Sequence, residues 1–226
     1  MKPLIVSPLI LSIDTTREFG SLALTQGGDT LDEVLLHAPD GFGQILFERI
    51  GRLLDRHGFG LERLDAYAAA SGPGSFTGVR VGLACVKGLA EATGKPAVAV
   101  SNLRTLAEFG TLDRRAAVID ARRGEVYAAL YNARGDAMIP ESVIRFPDFV
   151  ASLPPGPLEF LATDFTPFRA SLAGTPFKHA RIGEVPRAQA AAIGKIAARQ
   201  FELAGLGANL DANYVRRAEA EMLWRD

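Results

Sequence analysis

Residues Ile10 to Leu36, ILSIDTTREFGSLALTQGGDTLDEVLL, decide the fold. Ile10 to Ile13 is a short apolar run, Ser21-Leu22-Ala23-Leu24-Thr25 alternates polar and apolar, and Gly27-Gly28-Asp29 marks a turn before Leu31 to Leu36. A period of two broken by turn residues is a three-stranded meander. The same pattern returns in AVIDARRGEVYAALYNARGDAMIPESVI, Ala117 to Ile144. Strands are predicted there over Ala117–Asp120, Glu125–Tyr131 and Met138–Ile144, with Asn132 to Asp136 as a turn. Asp14 ends the first strand of one copy and Asp120 that of the other, about half the chain apart, so the protein reads as one unit built twice.

Outward from each meander, helix and strand alternate. In the first half the spacing predicts a helix over Asp40–His57, with Phe42, Ile45, Leu46, Ile50, Leu53 and Leu54 on one stripe, and a strand over Leu64–Ala70. A helix over Ser75–Thr93, stopped by Gly94, and a buried strand over Ala97–Val100 follow. The second half repeats this faintly: a short helix over Phe146–Ser152, a strand over Leu158–Ala162, a helical turn over Pro167–Leu172, a strand over Lys178–Ile182 and a helix over Arg187–Leu203. Meander followed by alternating elements, done twice, is an α/β protein with two mixed sheets and parallel crossovers. This architecture resembles the two-lobed actin, Hsp70 and sugar-kinase (ASKHA) superfamily. The expected lobes are residues 1–105, partner-binding, and a smaller 106–226 carrying the C-terminal helix.

The balance of 25 basic and 26 acidic residues in 226 gives no global field to hold a nucleic acid. A single cysteine, Cys85, rules out an internal disulfide, and its place in a predicted helix reads as buried apolar packing. Pro3, Pro8 and the early Asp14 argue against a signal peptide, and no apolar run approaches a membrane span, so a soluble cytosolic protein is expected.

The turn before the second helix, Ser71 to Gly82 (SGPGSFTGVRVG), resembles a phosphate loop but matches neither G-x-x-x-x-G-K-[ST] nor G-x-G-x-x-G. Its backbone N–H groups at a helix start suit an anion. The competing reading is structural. Ser75 caps the helix, and Gly78, Gly82 and Gly88 lie inside it at about 1 kcal/mol each relative to alanine, which calls for close packing. Gly78/Gly82 and Ala84/Gly88/Ala92 form two small-residue stripes, one to pack on the protein's own sheet and the other to receive a neighbouring helix. Gly82→Leu is expected to abolish association while sparing the fold. Phe47, off the apolar stripe of the first helix, belongs to the same candidate surface.

Catalytic groups are sparse. His37, His57 and His179 lie far apart without metallopeptidase spacing, and Ser75 lacks the G-x-S-x-G elbow of a hydrolase. Asp14 and Asp120 stand where the superfamily places groups near phosphate or metal, with Thr15 and Thr16 beside Asp14. Asp120 is followed by Ala121-Arg122-Arg123-Gly124-Glu125, whose cations pair with Glu125, meet RNA phosphate or stand solvated. The Ser71–Gly74 crossover carries no carboxylate to act as a kinase base. An ATP-dependent small-molecule kinase or ATPase nevertheless stands as the alternative to an interaction protein, ahead of a metal-dependent peptidase.

Ile13-Asp14-Thr15-Thr16, SGPGSFTGVR from Ser71 to Arg80 with Gly82, Lys87-Gly88-Leu89-Ala90, and Ile119 to Tyr127 together resemble the TsaB (YeaZ) family. That family belongs to the bacterial machinery that makes threonylcarbamoyladenosine beside the anticodon of tRNA. The resemblance implies a non-catalytic subunit that pairs with the larger, metal-binding paralogue TsaD, with the ATPase TsaE, and with itself as a homodimer. It meets tRNA through the complex. Contacts are expected on the first-lobe helices, at Phe42, Leu46, Phe47, Ile50, Phe76, Gly78, Val79, Gly82 and Leu83. No cofactor of its own is implied, with ATP or ADP at an interface with partner subunits; Asp14, Thr15, Thr16, Gly74, Ser75 and Asp120 are the candidate anion or nucleotide contacts. Three places depart from the family pattern: His37-Ala38-Pro39-Asp40 replaces His-Ser-Glu, Ala162-Thr163-Asp164-Phe165 replaces Gly-Asp-Gly, and Asn213-Tyr214-Val215-Arg216-Arg217 lacks the usual proline.

Overall fold

Strand β1 (Leu9–Asp14) pairs antiparallel with β2 (Phe19–Gln26), which pairs antiparallel with β3 (Asp29–His37). The computed structural model describes residues 7–204; the start of the chain and the Asn213–Arg217 tail lie outside them. On the other side of β1 come β4 (Ala66–Ala70) and β5 (Ala97–Val100), both parallel to it, giving the order β3-β2-β1-β4-β5. The second sheet holds β6 (Arg114–Arg122), β7 (Glu125–Asn132), β8 (Ala137–Arg145), β9 (Glu159–Leu161) and β10 (Arg181–Gly183) in the order β10-β9-β6-β7-β8. Read from their meanders, the two orders and strand directions are the same. The duplication read from the two meanders is therefore a duplication of topology.

The helices are α1 (Leu46–Arg56), α2 (Phe76–Thr93), α3 (Asn102–Ala107), α4 (Phe146–Ser152), α5 (Thr166–Arg169) and α6 (Ala190–Ala204). The helix predicted from Asp40 starts later. Gly41 sits at φ 98°, outside helical space, and a 3-10 turn over Phe42–Gln44 precedes α1. In α2, Ser75 accepts a hydrogen bond from the Gly78 amide, and Gly94 at φ 65° ends the helix in the left-handed conformation. Helix α3 falls where the sequence reads as a break between halves. Among the described residues no helix is long and apolar enough to cross a membrane.

The chain divides into two compact units, one of residues 7–102 and 187–204 and the other of residues 103–186. In the first, α1 and α2 cover one sheet face through Leu46, Ile50, Leu53, Val79, Leu83 and Val86 against Leu11, Ile13, Leu22 and Leu24. The other face is covered by α6, whose Ile193, Ile196 and Ala197 meet Ile10, Ala66, Ala68, Ala70, Val98 and Val100. This corrects the expectation that the C-terminal helix belongs to the second lobe. Strand β4 is buried along its whole length and reads Ala-Tyr-Ala-Ala-Ala, with alanines 66, 68 and 70 beneath α6. Small side chains on that face let a helix lie close.

Polar groups fix where α6 begins. The Ser21 hydroxyl accepts from the Gln189 and Ala190 amides, both at 2.9 Å, and Glu33 Oε1 accepts from the Ala191 amide at 2.9 Å. These are amides at a helix start that lack intrahelical partners. Burial pushes the Glu33 carboxyl above its ordinary 4.5, against the lowering effect of the Ala191 and Ala190 amides and of Lys195, and Asp14 adds to the rise.

In the second unit one sheet face is covered by phenylalanines. Phe146, Phe160, Phe165, Phe168 and Phe177 meet in tilted and edge-on pairs with centroids 5.0 to 6.3 Å apart. Leu103, Leu106 and Ala107 cover the other face against Ala117, Ala129, Tyr131 and Leu161. The buried Glu159 carboxylate accepts from the Thr111 and Leu112 amides and so ties the loop after α3 to β9. The β6–β7 turn runs through Arg122, Arg123 and Gly124 at φ 67°, 54° and 79°. Left-handed backbone costs an ordinary residue about 1–2 kcal/mol.

The contacts at the start of α6 yield a prediction with a sign. Ser21→Ala leaves two helix-start amides without their acceptor and should lower stability by about 1–2 kcal/mol. The folded state holds the Glu33 proton more tightly than the unfolded chain, so the stability contributed by this group is greatest in acid and is lost as pH rises from 4.5 through the raised value. Glu33→Gln keeps an acceptor for Ala191 without a charge to desolvate. Urea unfolding of this variant across that window should show a weaker fall in stability than the wild type.

Candidate functional site

At the end of β1 the chain must turn sharply into β2, and Asp14 directs the turn. Its carboxylate is 1% exposed; Oδ1 accepts from the Thr16 amide at 2.9 Å and the Thr16 hydroxyl at 2.7 Å, and Oδ2 pairs with Arg17 Nη2 at 2.8 Å. The Thr16 hydroxyl also accepts from Asn102 Nδ2 at 2.5 Å. Asn102 exchanges further bonds with Gly72, accepting at Oδ1 from its amide at 2.9 Å and donating its own amide to the Gly72 carbonyl at 2.8 Å. The Ser75 amide donates to the Thr16 carbonyl at 2.7 Å, and the Thr15 hydroxyl donates to the Gly78 carbonyl at 2.7 Å. The β1–β2 loop, the Gly72–Ser75 turn and the start of α2 thus form one hydrogen-bonded knot.

Two of the costly glycines are explained by this knot. A Cβ on Gly78 would lie 2.0 Å from the Thr15 carbonyl oxygen, and one on Gly82 would lie 2.7 Å from the Thr15 hydroxyl. Gly74 is likewise confined, with the Thr16 carbonyl oxygen 2.6 Å from where its Cβ would stand. The Gly78/Gly82 stripe faces inward, so the expectation that Gly82→Leu would spare the fold is corrected: residue 82 is buried against Ile13 and Thr15. Gly88 is the opposite case, exposed and with nothing within 4 Å of the place a Cβ would take.

The nominated surface residues divide accordingly. Phe42, Leu46, Ile50, Val79 and Leu83 are buried in the first unit's own core, and Gly78 and Gly82 are buried beside them. Phe47 is 63% exposed and Phe76 47% exposed. The outward face of α2 carries Phe76, Arg80, Ala84, Lys87, Gly88, Glu91 and Ala92, with the Arg80 guanidinium 3.8 Å from the Phe76 ring centroid. The outward face of α1 adds Phe47 and the Glu48–Arg52 ion pair at 2.5 Å. Of the two small-residue stripes, Ala84/Gly88/Ala92 is the one open to a neighbour. Phase alone separates them, because Gly78 and Gly82 share a side of the helix with Val79, Leu83 and Val86.

Among the candidate anion contacts, the Asp14 carboxylate and the Thr15, Thr16 and Ser75 hydroxyls are all engaged in the knot. Asp120 is exposed, and its Oδ1 accepts from the Arg122 amide at 2.8 Å. That is the bond Asp14 makes to Thr16, repeated in the second copy, so both aspartates hold a backbone turn. Burial raises the Cys85 thiol to about 11, which keeps it protonated and unreactive at neutral pH. Asn102, which holds the knot from α3, carries no motif that would single it out in the sequence.

Two sheets of the same mixed order, each opening with a meander that carries a backbone-capping aspartate at or near the end of its first strand, give the α/β fold of the actin, Hsp70 and sugar-kinase class. Component A of (R)-2-hydroxyglutaryl-CoA dehydratase from Acidaminococcus fermentans shares the fold with a TM-score of 0.52 at 9% identity, covering 86% of this chain and 99% of that one. YeaZ from Pseudomonas aeruginosa superposes with a TM-score of 0.76 at 27% identity, covering 93% of this chain and 99% of that one. Residues 38–209 match the family described as TsaD, tRNA N6-adenosine threonylcarbamoyltransferase. The tRNA threonylcarbamoyladenosine biosynthesis protein TsaB of Escherichia coli is 39% identical over 126 residues, 54% of each chain, and that of Bacillus subtilis is 29% identical over 95% of this chain and 97% of its own. The match thus spans about half the length of the Escherichia coli relative and nearly all of the Bacillus subtilis one. The chain belongs to the TsaB/YeaZ family within this larger group.

The opposed glycines are directly testable. Gly78→Ala forces a methyl onto the Thr15 backbone and should cost about 1–3 kcal/mol, whereas Gly88→Ala meets open space and should stabilise α2 by about 1 kcal/mol. Urea midpoints of the two variants should therefore move in opposite directions.

Proposed function

We propose that this protein is a non-catalytic subunit of the assembly that forms threonylcarbamoyladenosine on tRNA, stabilising a TsaD-like catalytic paralogue and docking a TsaE-like ATPase in the cytoplasm. Family membership supplies the pathway. The observation that carries the subunit role is the outward face of α2, where an exposed Phe76 under Arg80 leads into the small stripe Ala84/Gly88/Ala92, with Phe47 exposed on α1. An exposed aromatic beside a stripe without bulk suits a helix from another chain, with the aromatic as anchor and the small residues as the close-approach seam. The same face is the proposed seat of self-association, so homodimer and complex compete for it.

A non-catalytic role is supported by the way Asp14 is used. Its carboxylate accepts two bonds from Thr16 and pairs with Arg17, so the position that would meet phosphate or metal in a kinase of this fold works instead as a turn cap. Nucleotide, where the assembly uses it, is accordingly placed at an interface with partner subunits.

Phe76→Asp and Gly88→Leu alter only exposed positions and should leave the fold intact, with a thermal midpoint nearly unchanged for Phe76→Asp and somewhat raised for Gly88→Leu. Co-expression with the TsaD-like paralogue should give a complex with the wild type and little or none with either variant. Cells depleted of the protein should lose threonylcarbamoyladenosine from their tRNA hydrolysates, and the two variants should fail to restore it. Turnover of ATP by the lone protein that disappears in Asp14→Ala would overturn this reading in favour of a kinase or ATPase.

A further inference from the structure

The β6–β7 turn breaks a rule that the rest of the described chain keeps. Ten glycines there take positive φ, and the only two non-glycine residues to do so, Arg122 and Arg123, are adjacent. Glycine or asparagine would relieve the contact between Cβ and carbonyl oxygen that a left-handed arginine suffers. The conformation is held from below: Asp120 Oδ1 accepts from the Arg122 amide, and Ala121 is buried. Both arginines are exposed. Strain at a position where the side chain adds nothing to the core points to a use for the side chain itself.

The sheet register extends the feature. Arg122 lies opposite Glu125, and Glu125 opposite Arg145, so an exposed third guanidinium stands in the same cross-strand row as the turn. Met138, the one large apolar residue exposed among the described residues of this unit, is at the far end of β8. A protein partner held tightly needs an apolar or aromatic anchor, whereas a phosphate needs only the guanidinium fork. With a net charge of −1 over the chain, a polyanion must be met by a local cluster of this kind.

We propose that the Arg122–Arg123 turn, with Arg145 beside it, contacts the phosphate backbone of RNA. The choice of RNA as the polyanion rests on the function proposed above. Binding of a full-length tRNA transcript by the intact protein, followed by fluorescence anisotropy between about 50 and 200 mM salt, tests it. The Arg122→Asn/Arg123→Asn variant removes both charges and places a residue tolerant of left-handed backbone at each position. It should keep or raise the thermal midpoint, bind the transcript several-fold more weakly, and flatten the dependence of log K on log salt by about 1 for each arginine that meets a phosphate. Arg122→Lys/Arg123→Lys should preserve the slope while losing part of the affinity.

The proposal is overturned by a wild type that does not bind the transcript in this range, by an asparagine variant with unchanged affinity and slope, or by one that keeps tRNA but loses a co-purifying protein. Cellular threonylcarbamoyladenosine separates the two readings. If the modification disappears without the protein but the variant binds tRNA normally, the site fails and the function stands. If binding falls as expected while cells lacking the protein keep the modification, the function fails and the phosphate contact stands.

Discussion

Where the side chain of residue 78 would begin, the carbonyl oxygen of Thr15 already stands. That backbone-to-backbone approach sets the position of α2 on its sheet, and much of the first unit depends on it. Once α2 is pressed onto the β1–β2 loop, the loop needs a fixed shape, which Asp14 and Thr16 impose from within and Asn102 from outside. The Gly72–Ser75 turn is then constrained from both ends. Glycine's entropic cost in a helix is offset by the contacts that only its missing side chain allows. The β1–β2 loop is thereby closed on itself.

The same constraint explains why α2 presents a usable face at all. With Gly78, Val79, Gly82, Leu83 and Val86 turned to the sheet, Phe76, Arg80, Ala84 and Gly88 are left outward by helical phase. Inner and outer stripes are consequences of a single rotation of the helix about its axis, and the knot at its N-terminus sets that rotation. A structural contact at one end thereby decides which residues a partner would meet along the length.

Much of this was legible in the sequence, and the parts that were not have physical reasons. Period-two alternation and turn residues located both meanders, and 3.6-residue spacing located α2 to within a residue and the end of α1, though not its start. The strain of three glycines in one helix was also visible, but Gly82 and Gly88 have similar local surroundings in sequence, and only their phase against the valines and leucines tells the packed glycine from the open one. The place of α6 was hidden for a different reason. Its docking rests on Ser21, Glu33 and the alanines of β4, more than a hundred residues away, and none of these carries a pattern that names its partner. The aspartates are equivalent by position, and the equivalence the sequence shows is of a backbone bond: both cap the amide two residues on. What distinguishes them is the company they keep, two threonines after Asp14 against Ala121 and Arg122 after Asp120.

The return of α6 to the first sheet makes the second unit an insertion within the first. During synthesis the strands of the first sheet emerge early, but the face formed by Ile10, Ala66, Ala68 and Val98 has no cover until the residues of α6 follow. At about 5–20 residues per second, the second unit separates the two events by roughly 5–20 s. For that interval the nascent chain carries an uncovered apolar sheet face, so the unit that begins first is completed last.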